Sequence, residues 1–227
     1  MAWRSSGVSN DSLVANLVKN KLLQTDRVIS AFKTTDRALF IPAIEDPYAD
    51  QPQYLGYNAT ISAPHMHAAA IESLAPYLYP GASVMDVGSG SGYLVSIMCK
   101  LVMPGGKVVA IEHIPELLNQ SVKSFKLSEI PLGEAYVNDG LVVFADTDGR
   151  LGYPGELFDA IHVGAAPEHI PEALISQLKA PGKMFIPSGS AGNQYVYEVI
   201  KDDQGNVTKD RKYGVAYVPL TDLSHYK

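Results

Sequence analysis

The chemistry of this sequence gathers around two carboxylates and a run of glycines. Asp86 stands two residues ahead of Gly88-Ser89-Gly90-Ser91-Gly92, and Glu112 follows 26 residues later (112 − 86), at the end of the apolar run Lys107 to Ile111. A strand that breaks into glycines and then opens a helix is the setting in which a backbone comes close to a nucleotide. A dinucleotide fingerprint spaces its glycines G-x-G-x-x-G and places pyrophosphate on a helix N-terminus, where a neighbouring acid is unfavourable. Here the spacing is G-x-G-x-G, with Asp86 beside the turn. That arrangement suits a ligand bearing positive charge and no phosphate. S-adenosyl-L-methionine, with its sulfonium and α-ammonium, is such a ligand. An acid at the position of Glu112 is placed to accept from both ribose hydroxyls. The competing reading is a tight turn of any α/β protein, which leaves the two acids unexplained.

Other polar residues carry weaker signals. The stretch Gly56 to Ala68 brings Thr60, Ser62 and His65 before a helix expected from about Met66 to Tyr77. Ser62 is either functional or a helix cap, a common use of serine. It sits in no hydrolase elbow, and the centre of Gly88 to Gly92 is Gly90, not serine. His65 and His67 are two apart and face different directions on a helix, so no metal is expected. Asp148-Gly149 follows the third expected strand and either reaches an adenine amino group or forms a plain turn. His162, near the end of a strand over Leu157 to Gly164, is either a substrate contact or a packed histidine. Cys99 lies on the apolar helix after the glycines and reads as inert packing.

These residues need elements to place them. Strand and helix alternate from Ser83 onward, with strands at Ser83–Val87, Lys107–Ile111, Gly140–Ala145, Leu157–Gly164 and Lys183–Pro187. Helices are expected after the glycine turn, at Pro115–Ser128 and at Ile170–Leu178. Two last strands, Gln194–Lys201 and Lys212–Val218, flank the turn signal Asp203-Gln204-Gly205-Asn206. The pattern implies an α/β fold with a doubly wound, mostly parallel sheet, helices on both faces and an antiparallel C-terminal strand pair. Ligands bind such sheets beyond the carboxyl ends of the strands, so Asp86, Glu112, Asp148 and His162 are expected to converge. Ahead of the sheet, Asn10 or Asp11 is expected to cap a helix carrying Leu13, Val14, Leu17 and Val18. A second helix is expected over Asp26–Thr34, and an ordered loop over Ile41–Gly56. One domain accounts for residues 1–227, with a helical cap over 1–60 and the α/β core over 61–227. A net charge of −6 offers no surplus to neutralise phosphates, which argues against nucleic acid. With one cysteine there is no intrachain disulfide, and no apolar leader or membrane-length run is read. A cytosolic (cytoplasmic) protein is expected.

Five blocks, taken in order, carry a resemblance. They are Ala59-Thr60-Ile61-Ser62-Ala63-Pro64-His65-Met66-His67-Ala68, Asp86 to Tyr93, Asp148-Gly149-Arg150-Leu151-Gly152-Tyr153, Ala160-Ile161-His162-Val163-Gly164-Ala165-Ala166 and Tyr217-Val218-Pro219-Leu220-Thr221-Asp222. The chain resembles the protein-L-isoaspartate (D-aspartate) O-methyltransferases from about residue 9 to 222. The first and fourth blocks are distinctive of that family; the glycine loop is shared by many methyltransferases. The resemblance implies a Rossmann-like S-adenosylmethionine-dependent methyltransferase fold. It also implies methylation of the free carboxylate of L-isoaspartyl and D-aspartyl residues in aged proteins, repaired through a succinimide. S-adenosyl-L-methionine would be consumed, S-adenosyl-L-homocysteine released, and no metal used. Carried over residue by residue, Ser62 is the active-site residue. Ala59, Thr60, Ile61 and Ser62 line the cofactor, with Asp86, Gly88, Gly90, Glu112, Asp148, Gly149 and Thr221 as further contacts. His65, His162 and Val163 fall beside the substrate, and one more family contact falls near Tyr226. Thr147 stands where the family usually has Gly, and Pro167-Glu168 where it has Ala-Pro. Isoaspartyl proteins and peptides are the partners implied, and a site open to another protein's damaged loop suggests a monomer.

The implied reaction agrees with elementary chemistry. A carboxylate with a pKa of about 4 is ionised at neutral pH and needs no base to attack a sulfonium methyl. Ser62 is therefore expected to orient the substrate carboxylate for in-line transfer. Two rival classes share the fold. A nicotinamide-dependent dehydrogenase would not bind S-adenosylmethionine, and a binding module would bind it without turnover.

Overall fold

The computed structural model describes residues 4–43, 45–129 and 131–221. The first helix, α1 (Asn10–Lys19), buries Leu13, Val14 and Leu17, while Val18 stays exposed. Its cap is Ser9, which exchanges bonds with Ser12 in a capping box, and not Asn10 or Asp11. Asn10 is instead buried, its amide donating to the carbonyls of Phe32 and Lys33 at the end of α2 (Asp26–Lys33). A 3₁₀ turn, Arg37–Phe40, follows.

The expected loop over Ile41–Gly56 ends in a strand. β1 (Gln53–Gly56) pairs antiparallel with β2 (Ala59–Ile61). The turn between them is Tyr57-Asn58, both at positive φ (53° and 55°). That geometry is typical of tight hairpins but is usually signalled by Asn-Gly or Asp-Gly, and Tyr-Asn carries no such signal. β2 also crosses the expected boundary between cap and core at residue 60.

α3 (Pro64–Leu74) opens with Pro64 at its first turn and is capped by Ala63, without any side-chain bond. Ser62 is therefore not a helix cap. Next come β3 (Ser83–Val87), α4 (Tyr93–Val102), β4 (Lys107–Ile111), α5 (Pro115–Ser128), α6 (Gly133–Asn138) and β5 (Val142–Ala145). The chain continues through β6 (Phe158–Val163), α7 (Glu172–Ser176), β7 (Leu178–Ser188), β8 (Gln194–Lys201) and β9 (Val207–Val215). Several spans depart from expectation, with β7 beginning at Leu178 instead of Lys183 and β9 at Val207 instead of Lys212. α6 carries no periodic apolar stripe and was not foreseen. The helix expected over Ile170–Leu178 is a short one because Leu178 already begins β7. The last strand ends at Val215, which frees 216–221 to cross the carboxyl end of the sheet.

Seven strands form the main sheet in the order β5-β4-β3-β6-β7-β8-β9, parallel from β5 to β7 and antiparallel for the last two. The pleat sends alternate residues to opposite faces. Val84, Val108 and Ala160 pack in one cluster with residues of α1 to α5. Met85, Val87, Val109, Ile111, Ile161 and Val163 pack in a second with Leu174 and Ile175 of α7. β6, between β3 and β7, is buried at every residue. Among the described residues, no helix is long and apolar enough to cross a membrane.

Candidate active site

The carboxyl ends of β3, β4, β5 and β6 form one side of the molecule, and two joined clefts lie across it. The larger is walled by Ala59, Thr60, Gly88, Gly90, Glu112 and Gly149, continuing over His113, Ile114, Thr147, Gly164, Ala165 and the segment Val218 to Thr221. The second runs on through Thr60, Gly88, Gly90 and Gly164, which belong to both, to Ile61, Ser62, His67, Asp86, Ser89, Ser91, Tyr93, Leu94 and His162. Among the described residues, neither wall includes a lysine or an arginine.

The glycine turn makes this opening. Gly88, Gly90 and Gly92 hold φ of 71°, 52° and 81°, which side chains with a Cβ adopt only under strain. Gly88 and Ser89 donate their N–H groups to the Ile111 carbonyl at 2.8 and 2.9 Å. Gly90 donates to Glu112 Oε2 at 3.1 Å, while Oε1 accepts from the backbone N–H of His113 and Ile114 at 2.9 and 3.1 Å. Glu112 is thus fixed at the end of its strand, between the glycine turn and the start of α5. Burial pushes its carboxyl pKa up, and the three backbone donors work against that. On the opposite wall, Gly149 is a fit that a Cβ would spoil: an added methyl would stand 2.6 Å from Val87 Cγ1 and 3.1 Å from Leu220 Cδ1. Leu220 is held there by a short parallel bridge, in which Ala166 N–H donates to Val218 O and Leu220 N–H to Ala166 O.

Asp86 is 1% exposed and does not turn toward the glycines. Its Oδ1 lies 2.7 Å from Nδ1 of His162, the residue it faces in register on β6. The His162 ring stacks on Phe185. A His–Asp pair was not evident from sequence, and it borders the same cleft as Ser62. Half-buried Ser62 acts on the Tyr217 phenol, opposing the rise in its pKa that burial causes. Tyr217 is itself clamped: its N–H donates to Gln194 Oε1 at 2.6 Å and its carbonyl accepts from Gln194 Nε2 at 3.2 Å. Another buried hydroxyl of the cleft, Ser89 Oγ, has no protein partner.

Most sequence-predicted residues meet here. Ala59, Thr60, Ile61, Ser62, Asp86, Gly88, Gly90, Glu112, Gly149, His162 and Thr221 all border one cleft or both. Three stand aside. Asp148 lies between two wall residues, but its carboxylate caps the turn at Arg150 N and is gripped by the Arg150 guanidinium, which holds its pKa low. His65 borders neither cleft; its N–H and Nδ1 both meet Asp50 Oδ1, at 2.9 and 2.7 Å. Val163 is 0% exposed and packs in the second core cluster, so its side chain is core and not a substrate contact. Its neighbour Gly164 takes the wall position. Tyr226 lies outside the described residues. Reading by residue type missed the walls at His113, Ile114 and Val218 to Leu220, where ordinary residues are recruited by topology.

Residues 8–225 match the family model of Protein-L-isoaspartate(D-aspartate) O-methyltransferase (PCMT). The chain belongs to this family. It is 45% identical over 216 residues to the protein-L-isoaspartate O-methyltransferase of Triticum aestivum, covering 95% of this chain and 92% of the relative. To the Caenorhabditis elegans enzyme of the same name it is 42% identical, over 97% and 96% of the two chains. Among solved structures, a Plasmodium falciparum protein described as a protein-L-isoaspartate O-methyltransferase superposes with a TM-score of 0.84 at 32% identity, covering 94% of this chain and 98% of its own. That protein was crystallised in complex with S-adenosyl-L-homocysteine. The isoaspartate methyltransferase family thus accounts for nearly the whole chain, including both clefts.

Proposed function

We propose that this chain transfers a methyl group from S-adenosyl-L-methionine to the free carboxylate of L-isoaspartyl, and D-aspartyl, residues in damaged proteins, which initiates their repair through a succinimide. The observation that carries this reading is the paired cleft itself. One arm is fitted to a cationic, phosphate-free nucleoside, and it opens onto a second arm that holds Ser62. The residues present suit that group: among the described residues the walls hold Glu112 and Asp86 and no lysine or arginine, Gly149 sits so close to Val87 and Leu220 that a Cβ would clash, and the buried Ser89 hydroxyl has no protein partner. A nicotinamide dinucleotide would bring a pyrophosphate to the same acids, which disfavours the dehydrogenase reading.

S-adenosyl-L-methionine, when bound, supplies an electrophilic methyl on a positively charged sulfur. Glu112 would receive the ribose hydroxyls, and Gly149 would lie under the base. Ala59 to Ile61, the glycine turn and Thr221 would close around the remainder. Ser62 donates to the acceptor's carboxylate and turns one oxygen toward the joined cleft. No base is required, because the acceptor is ionised before it arrives. The Asp86–His162 pair serves as a rigid floor. The chain works as a monomer, with isoaspartyl proteins and peptides as its partners.

The test is incubation with methyl-labelled S-adenosyl-L-methionine and an isoaspartyl peptide. Base-labile label on the peptide is the expected result. Cofactor binding without transfer would leave only a binding module, and binding of a nicotinamide dinucleotide instead would restore the dehydrogenase.

A further inference from the structure

A buried charge stands behind Ser62. Arg37 is 0% exposed, the largest fully buried side chain of the protein's described residues. Its Nη2 donates to the Ser62 carbonyl at 2.8 Å, and its Nη1 stands 3.2 Å from His67 Nδ1. The guanidinium lies 5.3 Å from the centre of the Tyr93 ring, and its Nε has no hydrogen-bond partner at all. None of the ion pairs among the described residues includes it. Asp50 acts on it through space, yet the oxygens of Asp50 are spent on His65 and on the Ser5 N–H.

Every group that touches Arg37 is neutral. Burial and the guanidinium itself push the His67 pKa well below its usual range, and burial pushes the Tyr93 phenol up. Burial lowers Arg37 to about 10, so at neutral pH it remains a cation. Holding an unpaired cation in a protein interior is costly, and apolar residues would pack there without that cost. The position of the charge gives it a use. Ser62, His67 and Tyr93, the three residues the guanidinium contacts, all border the cleft that holds the Ser62 hydroxyl. The acids of that cleft do not reach Arg37, since Asp86 is engaged by His162. The wall around Ser62 is thus backed by a buried guanidinium, while the nearby acids Asp50 and Asp86 are each engaged by a histidine.

We propose that Arg37 is a positioning residue for the acceptor, its buried charge compensating the substrate carboxylate at Ser62 and selecting that anion over its neutral amide. This rests on the methyl-acceptor reading above. Arg37 touches the Ser62 carbonyl and no part of the substrate, so it acts through the Ser62 peptide and the His67 ring. Its influence falls on binding, and KM rises more than kcat falls when it is removed.

The experiment compares two peptides of one sequence, differing only in an isoaspartyl α-carboxylate or the corresponding α-carboxamide. Both are titrated into the full chain saturated with S-adenosyl-L-homocysteine. The wild-type protein binds the acid at least about tenfold more tightly than the amide, as expected for a charge compensated in a desolvated site. Arg37→Met brings that ratio toward one, and Arg37→Lys, which keeps the charge, restores part of it. If Arg37 only braces the fold, acid and amide weaken by the same factor and the ratio stays, which overturns the proposal. A wild-type ratio near one overturns it with no variant needed. Should Arg37→Met not fold, Arg37→Gln, which keeps a donor for the Ser62 carbonyl and removes the charge, decides: an unchanged acid-to-amide ratio, with both peptides weakened, counts against the proposal. Methyl transfer by the wild type keeps the two readings apart. Transfer with an unmoved ratio refutes the role of Arg37 alone, whereas no transfer to the acid peptide refutes the functional reading beneath it.

Discussion

Ser62 borders the cleft and caps no helix. Replacing it with Ala removes one donor to an anion and leaves the elements alone. Ser62→Ala should lower methyl transfer roughly ten- to a hundredfold, equivalent to about 1.5–3 kcal/mol. Its cofactor affinity and thermal midpoint should match the wild type, and a drop in midpoint at full specific activity would make Ser62 structural after all. Glu112 behaves differently because it does two jobs. Glu112→Ala strands three backbone donors and removes the ribose acceptor, so it should weaken S-adenosyl-L-methionine by roughly 1–3 kcal/mol and lower the midpoint as well. Calorimetry giving an unchanged dissociation constant would remove Glu112 from the cofactor site. Asp86, Glu112 and the glycines were legible because such types rarely recur at a strand end without a reason. Arg37 was not: in sequence an arginine reads as solvated surface, and only the fold reveals its complete burial. The Asp86–His162 pair was equally hidden, since it depends on β3 and β6 lying side by side in register.

At the scale of elements, the site is a product of four strand ends and one returning segment. β3 to β6 supply Gly88, Glu112, Thr147 to Gly149 and Gly164, and residues 217–221 lie across them. Gly149→Ala tests how closely that segment fits. Its new methyl must displace Val87 or Leu220, so the cofactor dissociation constant should rise about tenfold and the midpoint should fall, overpacking of this kind costing about 1–3 kcal/mol. A variant indistinguishable from the wild type in both would mean that the wall yields freely. The central elements were readable from alternating apolar runs; β8 and α5 have the bounds expected of them. The departures have local causes. β1 was masked by a hairpin turn without glycine, α7 was shortened by the early start of β7, and the cap of α1 is one residue before Asn10.

For the molecule as a whole, pH dependence reports on charges far from the clefts. Asp159, at the opposite end of β6, accepts from Tyr79 Oη, Ser83 N and Lys179 Nζ at 2.7, 2.8 and 2.6 Å. Burial alone would raise its pKa, but these three donors outweigh burial and hold it below the usual 3.8. A carboxylate depressed in the folded state contributes stability above its unfolded pKa and loses it as pH falls through the folded value. Asp159→Asn should therefore lower the thermal midpoint at pH 7, by several degrees, and the gap from wild type should close below about pH 3.8. A gap that persists unchanged into acid would show that hydrogen bonding, and not charge, sets the contribution. The parallel sheet with its antiparallel edge was legible from the order of elements, because a glycine turn, crossover helices and a final hairpin leave few topologies open. The meeting of residues 37, 62 and 217 was not, because packing, not pattern, brings them together. What distinguishes this chain chemically is selectivity for the isoaspartyl isomer. An isoaspartyl peptide and its ordinary aspartyl isomer are mixed in equal amounts with the protein and labelled S-adenosyl-L-methionine, and fragmentation then locates the methyl. Label confined to the free α-carboxylate of the isoaspartyl residue is the expected result, and label divided equally between the isomers, or none on either, would contradict it.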